Sequence, residues 1–218
     1  MSEYTFEDWC KETGNEKYLV KEYKGTVNCS GTTITSLKGA PEKVENNFEC
    51  ELCHNLTNLE GAPKIVGSIS YFKCKNIESL EGGPEIVNWN LDCSWTSITS
   101  LKGAPKHLGG WLTFRECKHL ISFEGGIHLL NKFDTDIDRD EMFAIILSDL
   151  LNGKYKPEDL KDFKKVRTIY NETVDLSQTE LENYCSSKAN NFGYELIPED
   201  LKDLLMIDDF KPFRKIEE

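Results

Sequence analysis

The sequence predicts an α+β chain: a solenoid of short parallel strands set between an N-terminal cap helix and a C-terminal helical domain. Three observations carry that expectation. A five-residue phrase recurs, as LKGAP at 37–41, LEGAP at 59–63, LEGGP at 80–84, LKGAP at 101–105 and FEGGI at 123–127, at intervals of 22, 21, 21 and 22 residues. Upstream of each phrase stands an apolar pair at spacing two: Val27 and Cys29, Phe48 and Cys50, Ile69 and Tyr71, Leu91 and Cys93, Leu112 and Phe114. After about residue 130 the phrase stops and the apolar pattern becomes helical. A fixed short period means that each unit is one supersecondary element that must stack on its neighbours to bury its apolar face.

Residues 1–24 do not repeat, and TFEDWCKET reads as a short helix capped by Thr5 with Phe6, Trp9 and Cys10 on one face. An open solenoid end exposes core and strand edge, so this helix is expected to cover it.

Residues 25–130 hold the five repeats. Spacing two is the strand period, so each unit should give one short strand whose paired residues point inward while their neighbours face solvent. Aligned on the apolar residue three before each phrase (Ile34, Leu56, Ile77, Ile98, Leu120), the units differ in one place. Cys53, Cys74 and Cys117 stand three residues before that anchor, whereas Thr32 and Thr96 stand two before it. At this ladder position a side chain can bond backbone groups that the bend leaves unpaired; Thr does so well and Cys weakly. The GAP or GGP segment argues for a tight turn with an extended return, leaving little room for an outer helix.

These units resemble the leucine-rich repeat family, whose segment is written LxxLxLxxNxL or, in the cysteine form, LxxLxLxxCxxL. Val66, Ile69, Tyr71, Cys74 and Ile77 fit the cysteine form, as do the second and fifth units through Cys53 and Cys117. The wording of the phrase is similar to that of short leucine-rich repeat proteins of bacteriophages and large DNA viruses. The resemblance implies a concave sheet that binds a partner protein, a host defence factor if the chain is viral.

Residues 131–218 are expected to be helical, with segments at 138–153, 157–170, about 177–190 and 198–205, and to serve either as a large cap or as a functional domain. They hold 13 basic and 21 acidic side chains, against 13 and 17 in residues 1–130. The run DTDIDRDE at 134–141 has the alternating acids of a calcium loop, yet Arg139 replaces the turn glycine and Ile145 the closing glutamate. An acidic helix start accounts for it better.

Composition narrows the function. With 26 basic and 38 acidic side chains the formal charge is -12, which disfavours direct binding to nucleic acid or anionic lipid. No run approaches the roughly 18 apolar residues of a membrane span. The first residues lack the pattern of a secretory signal, so a cytoplasmic protein is expected. Eight cysteines include the CxxC of Cys50 and Cys53, but six of the eight occupy repeat positions, so a buried, reduced ladder is expected in place of a metal site or disulfides. No nucleophile elbow, phosphate loop, HExxH or dinucleotide fingerprint is present, and nothing arranges nucleophiles around His54, His107, His119 or His128. No catalytic residue, cofactor or metal is expected.

The candidate site is the outward face of the strands. Stacking gives the columns Asn28, Glu49, Ser70, Asp92, Thr113; then Ser30, Glu51, Phe72, Ser94, Arg115; then Gly31, Leu52, Lys73, Trp95, Glu116; and Trp111 follows Thr26, Asn47, Ser68 and Asn90. Within them Glu51, Leu52, Phe72, Lys73, Asp92, Trp95, Trp111 and Arg115 are the expected partner-binding residues. The aromatics either anchor a partner or tuck against flanking turns, and the acids favour a basic partner. Two other readings are an acidic mimic that occupies the nucleic-acid site of a host enzyme, and an enzyme carried by residues 131–218.

Overall fold

The computed structural model describes residues 3–137, together with 142, 145, 146, 149, 154, 194–196 and 213–215. The chain divides into two units, Met1–Ile137 and Asp138–Glu218. No helix among the described residues is long and apolar enough to cross a membrane.

The first unit is a parallel-strand solenoid of about five turns. Helix α1 (Phe6–Thr13) opens it as expected: Thr5 accepts from the Asp8 backbone N–H, the Asp8 carboxylate accepts from the Thr5 N–H, and Gly14 closes the helix at φ 71°. Phe6, Trp9 and Cys10 are buried. The Phe6 ring centroid lies 5.3 Å from Trp9 and 5.9 Å from Phe48, and Trp9 stacks on Tyr18 at 6.2 Å. Each such side chain contributes on the order of 2 kcal/mol of apolar burial, so the helix is a plug for the exposed end of the stack.

The strands are β1 (Glu22–Tyr23), β2 (Val27–Asn28), β3 (Lys43–Glu49), β4 (Ile65–Ser70), β5 (Ile86–Val87), β6 (Leu91–Asp92), β7 (His107–Leu108), β8 (Leu112–Thr113) and β9 (Phe133–Asp134). All pair in parallel. The expected apolar column is observed, with Val27, Phe48, Ile69, Leu91 and Leu112 in register and Phe133 continuing it. One strand per turn is an undercount. A second ladder runs before it through Tyr23, Val44, Val66, Val87 and Leu108, and a register shift between Val44 and Asn47 marks the bend that separates the two segments. Val44, Val66 and Val87 after the first three phrases, and Leu108 after the fourth, supply the buried residues of this extra ladder.

The phrase itself builds a type II turn. Ala40 donates to the Leu37 carbonyl and Ala62 to that of Leu59, with Gly39 and Gly61 at φ 91° and 88°. A Cβ on Gly61 would stand 2.5 Å from the backbone nitrogen of Lys38 one turn earlier, and one on Gly103 2.2 Å from that of Glu81. Glycine is therefore required twice over, for the sign of φ and for the close approach of the preceding turn.

The length difference between units has a visible cause. Thr32 and Thr96 donate to the carbonyls of Cys29 and Cys93 in their own turn, at 2.8 and 2.7 Å. Cys53, Cys74 and Cys117 instead reach the turn before, to the carbonyls of Cys29, Cys50 and Cys93 at 3.2, 2.9 and 3.2 Å. The extra residue of the cysteine units follows the ladder position, where Leu56, Ile77 and Leu120 donate back to the carbonyls of Cys53, Cys74 and Cys117 and close an additional turn.

Strand β9 lies beyond the last phrase and gives the sheet its final member. Phe133 packs edge-on against Phe114 at 4.9 Å and against Phe123 at 5.3 Å. The acids at 134 and 136 are thus not a helix start. Asp134 extends the outward column from Thr113, and both carboxylate oxygens of Asp136 accept from the Glu116 N–H at 3.0 Å, taking the place of the next-turn carbonyl that pairs the equivalent N–H of Leu52, Lys73 and Trp95.

In the second unit Met142, Ile145, Ile146 and Asp149 are helical, within the expected 138–153 segment. Tyr194–Leu196 (β10) and Phe213–Lys215 (β11) pair antiparallel, which no pattern in the sequence announced. The expected helices at 157–170, 177–190 and 198–205 lie outside the described residues.

Candidate functional site: the outward sheet face and its turn row

The first outward column stands in register as expected, from Asn28 through Glu49, Ser70, Asp92 and Thr113 to Asp134. Its members and their neighbours line a groove of about 410 Å³ that includes Glu49, Glu51, Asp92, Asp134 and Trp111. The acids are partly satisfied from within. Asn28 donates to Glu49 at 2.7 Å, the Ser70 hydroxyl to Glu51 at 2.8 Å, and the Ser94 backbone N–H to Asp92 at 2.8 Å. Arg115 pairs with Asp134 through Nε and Nη2, and the carboxylate raises the guanidinium pKa. No described cation forms an ion pair with Glu49, Glu51 or Asp92, so the groove floor carries uncompensated negative charge.

The two columns that follow it in the chain are not strand residues. Glu51 and Phe72 sit at the first corner of the turn that leaves the strand, and Leu52, Lys73, Trp95 and Glu116 occupy its second corner in the left-handed region, at φ 57°, 60°, 60° and 55°. Gly31 holds the same place at φ 71°. The stack stays in register here because the backbone ladder continues through the turn: Gly31 donates to the Glu51 carbonyl at 2.7 Å, Leu52 to Phe72 at 2.8 Å, Lys73 to Ser94 at 3.0 Å and Trp95 to Arg115 at 2.9 Å. A strand residue would alternate faces; a left-handed corner turns its side chain out along the rim.

That rim displays apolar surface. Leu52 is 43% exposed and Trp95 41% exposed. The Lys73 ammonium lies 5.0 Å from the Phe72 ring and 5.6 Å from the Trp95 ring, and Phe72 is half-buried. This cation–π contact holds the two rings and the lysine as one ridge. At the other side of the strands Trp111 is 55% exposed. Trp89, which the columns missed, is 50% exposed beside it in sequence register, its neighbour Asn90 aligning with Trp111. Trp89 belongs to the bend between the two strand segments, and a Cβ on Gly67 would stand 2.7 Å from its ring, so the bare glycine makes the seat for the indole. The only sequence signal for it is Gly67, a glycine inside a strand pattern, which marks a close approach. The eight expected binding residues therefore fall into two sets: Glu51, Asp92, Trp111 and Arg115 about the groove, and Leu52, Phe72, Lys73 and Trp95 along the ridge.

Beneath the ridge the ladder residues form a second feature. The Sγ atoms of Cys50, Cys53 and Cys74 all lie within 4.8 Å of one another, in a fully buried setting. Contacts with the thiols of Cys29, Cys50 and Cys74 hold Cys53 well below the ordinary thiol range, and the reciprocal contacts with Cys50 and Cys53 push Cys74 well above it. Among the described residues this is the one grouping of side chains with the donor set of a metal site.

Compared with models of protein families, with curated proteins and with solved structures, the chain matches none, so the functional argument rests on the repeat and on the surface it builds.

Proposed function

We propose that the chain is a non-enzymatic binding module, akin to the leucine-rich repeat proteins, that grips a partner protein across its outward sheet face and turn ridge. One observation carries the reading. At the left-handed corner glycine suffices, as Gly31 shows, yet the four later turns place Leu52, Lys73, Trp95 and Glu116 there, with the Leu52 and Trp95 side chains open to water. A non-glycine residue in that region costs about 1 kcal/mol, and such strain concentrates at functional surfaces. The apolar ridge supplies anchors of the kind that dominate interfaces, and the acids of the groove select a basic partner surface. A viral origin, suggested by the phrasing of the repeats, would make that partner a host protein.

A second reading follows from the formal charge of -12: an acidic mimic that occupies the nucleic-acid site of a host enzyme. Affinity capture from host-cell lysate at low and moderate salt separates the two. The expected result is one stoichiometric protein retained at moderate salt and lost in the Trp95→Gly, Trp111→Ala double variant while the variant stays folded. Retention by that variant would sink the proposed face. Release on raising salt, with competition by DNA, would transfer the function to the mimic.

A further inference from the structure

The cysteine ladder is uneven. Its strand position is filled by Cys29, Cys50, Tyr71, Cys93 and Phe114, and its turn position by Thr32, Cys53, Cys74, Thr96 and Cys117. Where the fourth and fifth turns meet, this gives the arrangement that backbone satisfaction alone requires: Cys117 bonds the Cys93 carbonyl at 3.2 Å, and its sulfur lies 3.5 Å from the Thr96 hydroxyl. The first three turns do something more, because cysteine fills both positions in the second turn and neighbouring positions on either side of it. Tyr71 and Phe114 fill the strand place in two of the five turns and threonine fills the turn place in two, so neither place by itself demands cysteine.

From this convergence we infer that Cys50, Cys53 and Cys74, with Cys29 as the fourth ligand, form a buried site for one zinc ion. Cys50 and Cys53 enclose a two-residue turn whose left-handed Leu52 brings both sulfurs to the same side, the chelating loop that CxxC provides in structural zinc sites. Cys74 arrives from the third turn by the same ladder. Cys29, the next sulfur of the ladder, is buried in the first turn, where its carbonyl accepts from the Cys53 thiol at 3.2 Å. Tetrahedral zinc with bonds of about 2.3 Å sets its sulfurs about 3.8 Å apart, so the three need to close by no more than about 1 Å. Thiols select a soft ion over magnesium or calcium, which take oxygen ligands. Binding releases the protons of all four cysteines to solvent, so the dication and four thiolates leave two net negative charges in the core.

All four cysteines are at most 1% exposed, so the ion has no route into the closed stack and must enter as the turns assemble. This separates the site from adventitious surface binding and makes it independent of the outward face. The test is to unfold the full chain in reductant, refold it with Zn²⁺ or Co²⁺, remove free metal and measure metal per chain. Expected are about one ion per chain, a thiolate-to-cobalt charge-transfer band, and a higher Tm than the chain refolded with chelator. Cys53→Ser keeps a ladder hydroxyl and should refold without metal, whereas Cys117→Ser and Cys185→Ser should each retain it. No retained metal in the wild-type chain would overturn the site. So would equal retention in Cys53→Ser and wild type, or loss in Cys117→Ser or Cys185→Ser. Should Cys53→Ser fail to fold, the wild-type cobalt spectrum decides alone: a tetrahedral thiolate signature supports the site and its absence refutes it.

Discussion

Two rows of left-handed residues run the length of the stack, and they obey opposite rules. In the phrase row Gly39, Gly61, Gly82, Gly103 and Gly125 have φ between 85° and 91°, and all five are glycine. In the ridge row Gly31, Leu52, Lys73, Trp95 and Glu116 share φ between 55° and 71°, and four side chains of different chemistry replace glycine. Backbone sign does not explain the difference. In the phrase row a Cβ would strike the previous turn's backbone at Gly61, Gly103 and Gly125, crowd it at Gly82 and strike Glu7 of α1 at Gly39, whereas around Gly31 nothing lies within 4 Å of an added Cβ. Strain of about 1 kcal/mol per residue is tolerable where water is the neighbour, and a collision is not. The ridge row is therefore where this fold leaves residue choice open to function.

The contrast is sharpest at Gly103→Ala, whose Cβ would meet a backbone nitrogen at 2.2 Å. It should cost at least about 3 kcal/mol in chemical denaturation, since left-handed strain and overpacking add. Gly31→Ala faces strain alone and should cost about 1 kcal/mol; a loss as large as that of Gly103→Ala would break the distinction between the rows. The smallest effect should come from Leu52→Gly, where relief of strain opposes the entropy that glycine adds to the unfolded chain, so stability should stay within about 0.5 kcal/mol of wild type. A markedly destabilised Leu52→Gly would mean that the leucine supports the stack and is not free for a partner.

Much of this architecture is legible in the sequence, because the strand period and the repeat phrase are both set by burial. The inward column, the cap helix with Thr5 and the phrase turn all follow from residues whose type the packing dictates. The ridge is not legible in that way. Leu52, Lys73 and Trp95 carry no mark of a positive φ, and only Gly31 in their column hints at the corner, so a stack of outward strand residues is the natural misreading. Trp89 escaped for a related reason, since the bend that seats it separates two strand segments that the spacing rule merges into one. Asp134 and Asp136 resemble a helix start because acids before an apolar run have that meaning locally, and the pairing of Phe133 with Leu112 that overrules it is long-range. The meeting of Cys50, Cys53 and Cys74 needs the stacking register of neighbouring turns, which no single unit contains.

The last strand, β9, follows the column rule without the phrase, and α1 precedes the first repeat, so both closures are written outside the repeated text. Whole units between them can be gained or lost without disturbing either end. Each would lengthen the outward face by about 4.8 Å, the spacing of neighbouring strands. The repeat count is then a ruler: in this architecture the length of the outward face changes by duplication or deletion, in fixed steps, while the chemistry of each step is set by a handful of rim residues.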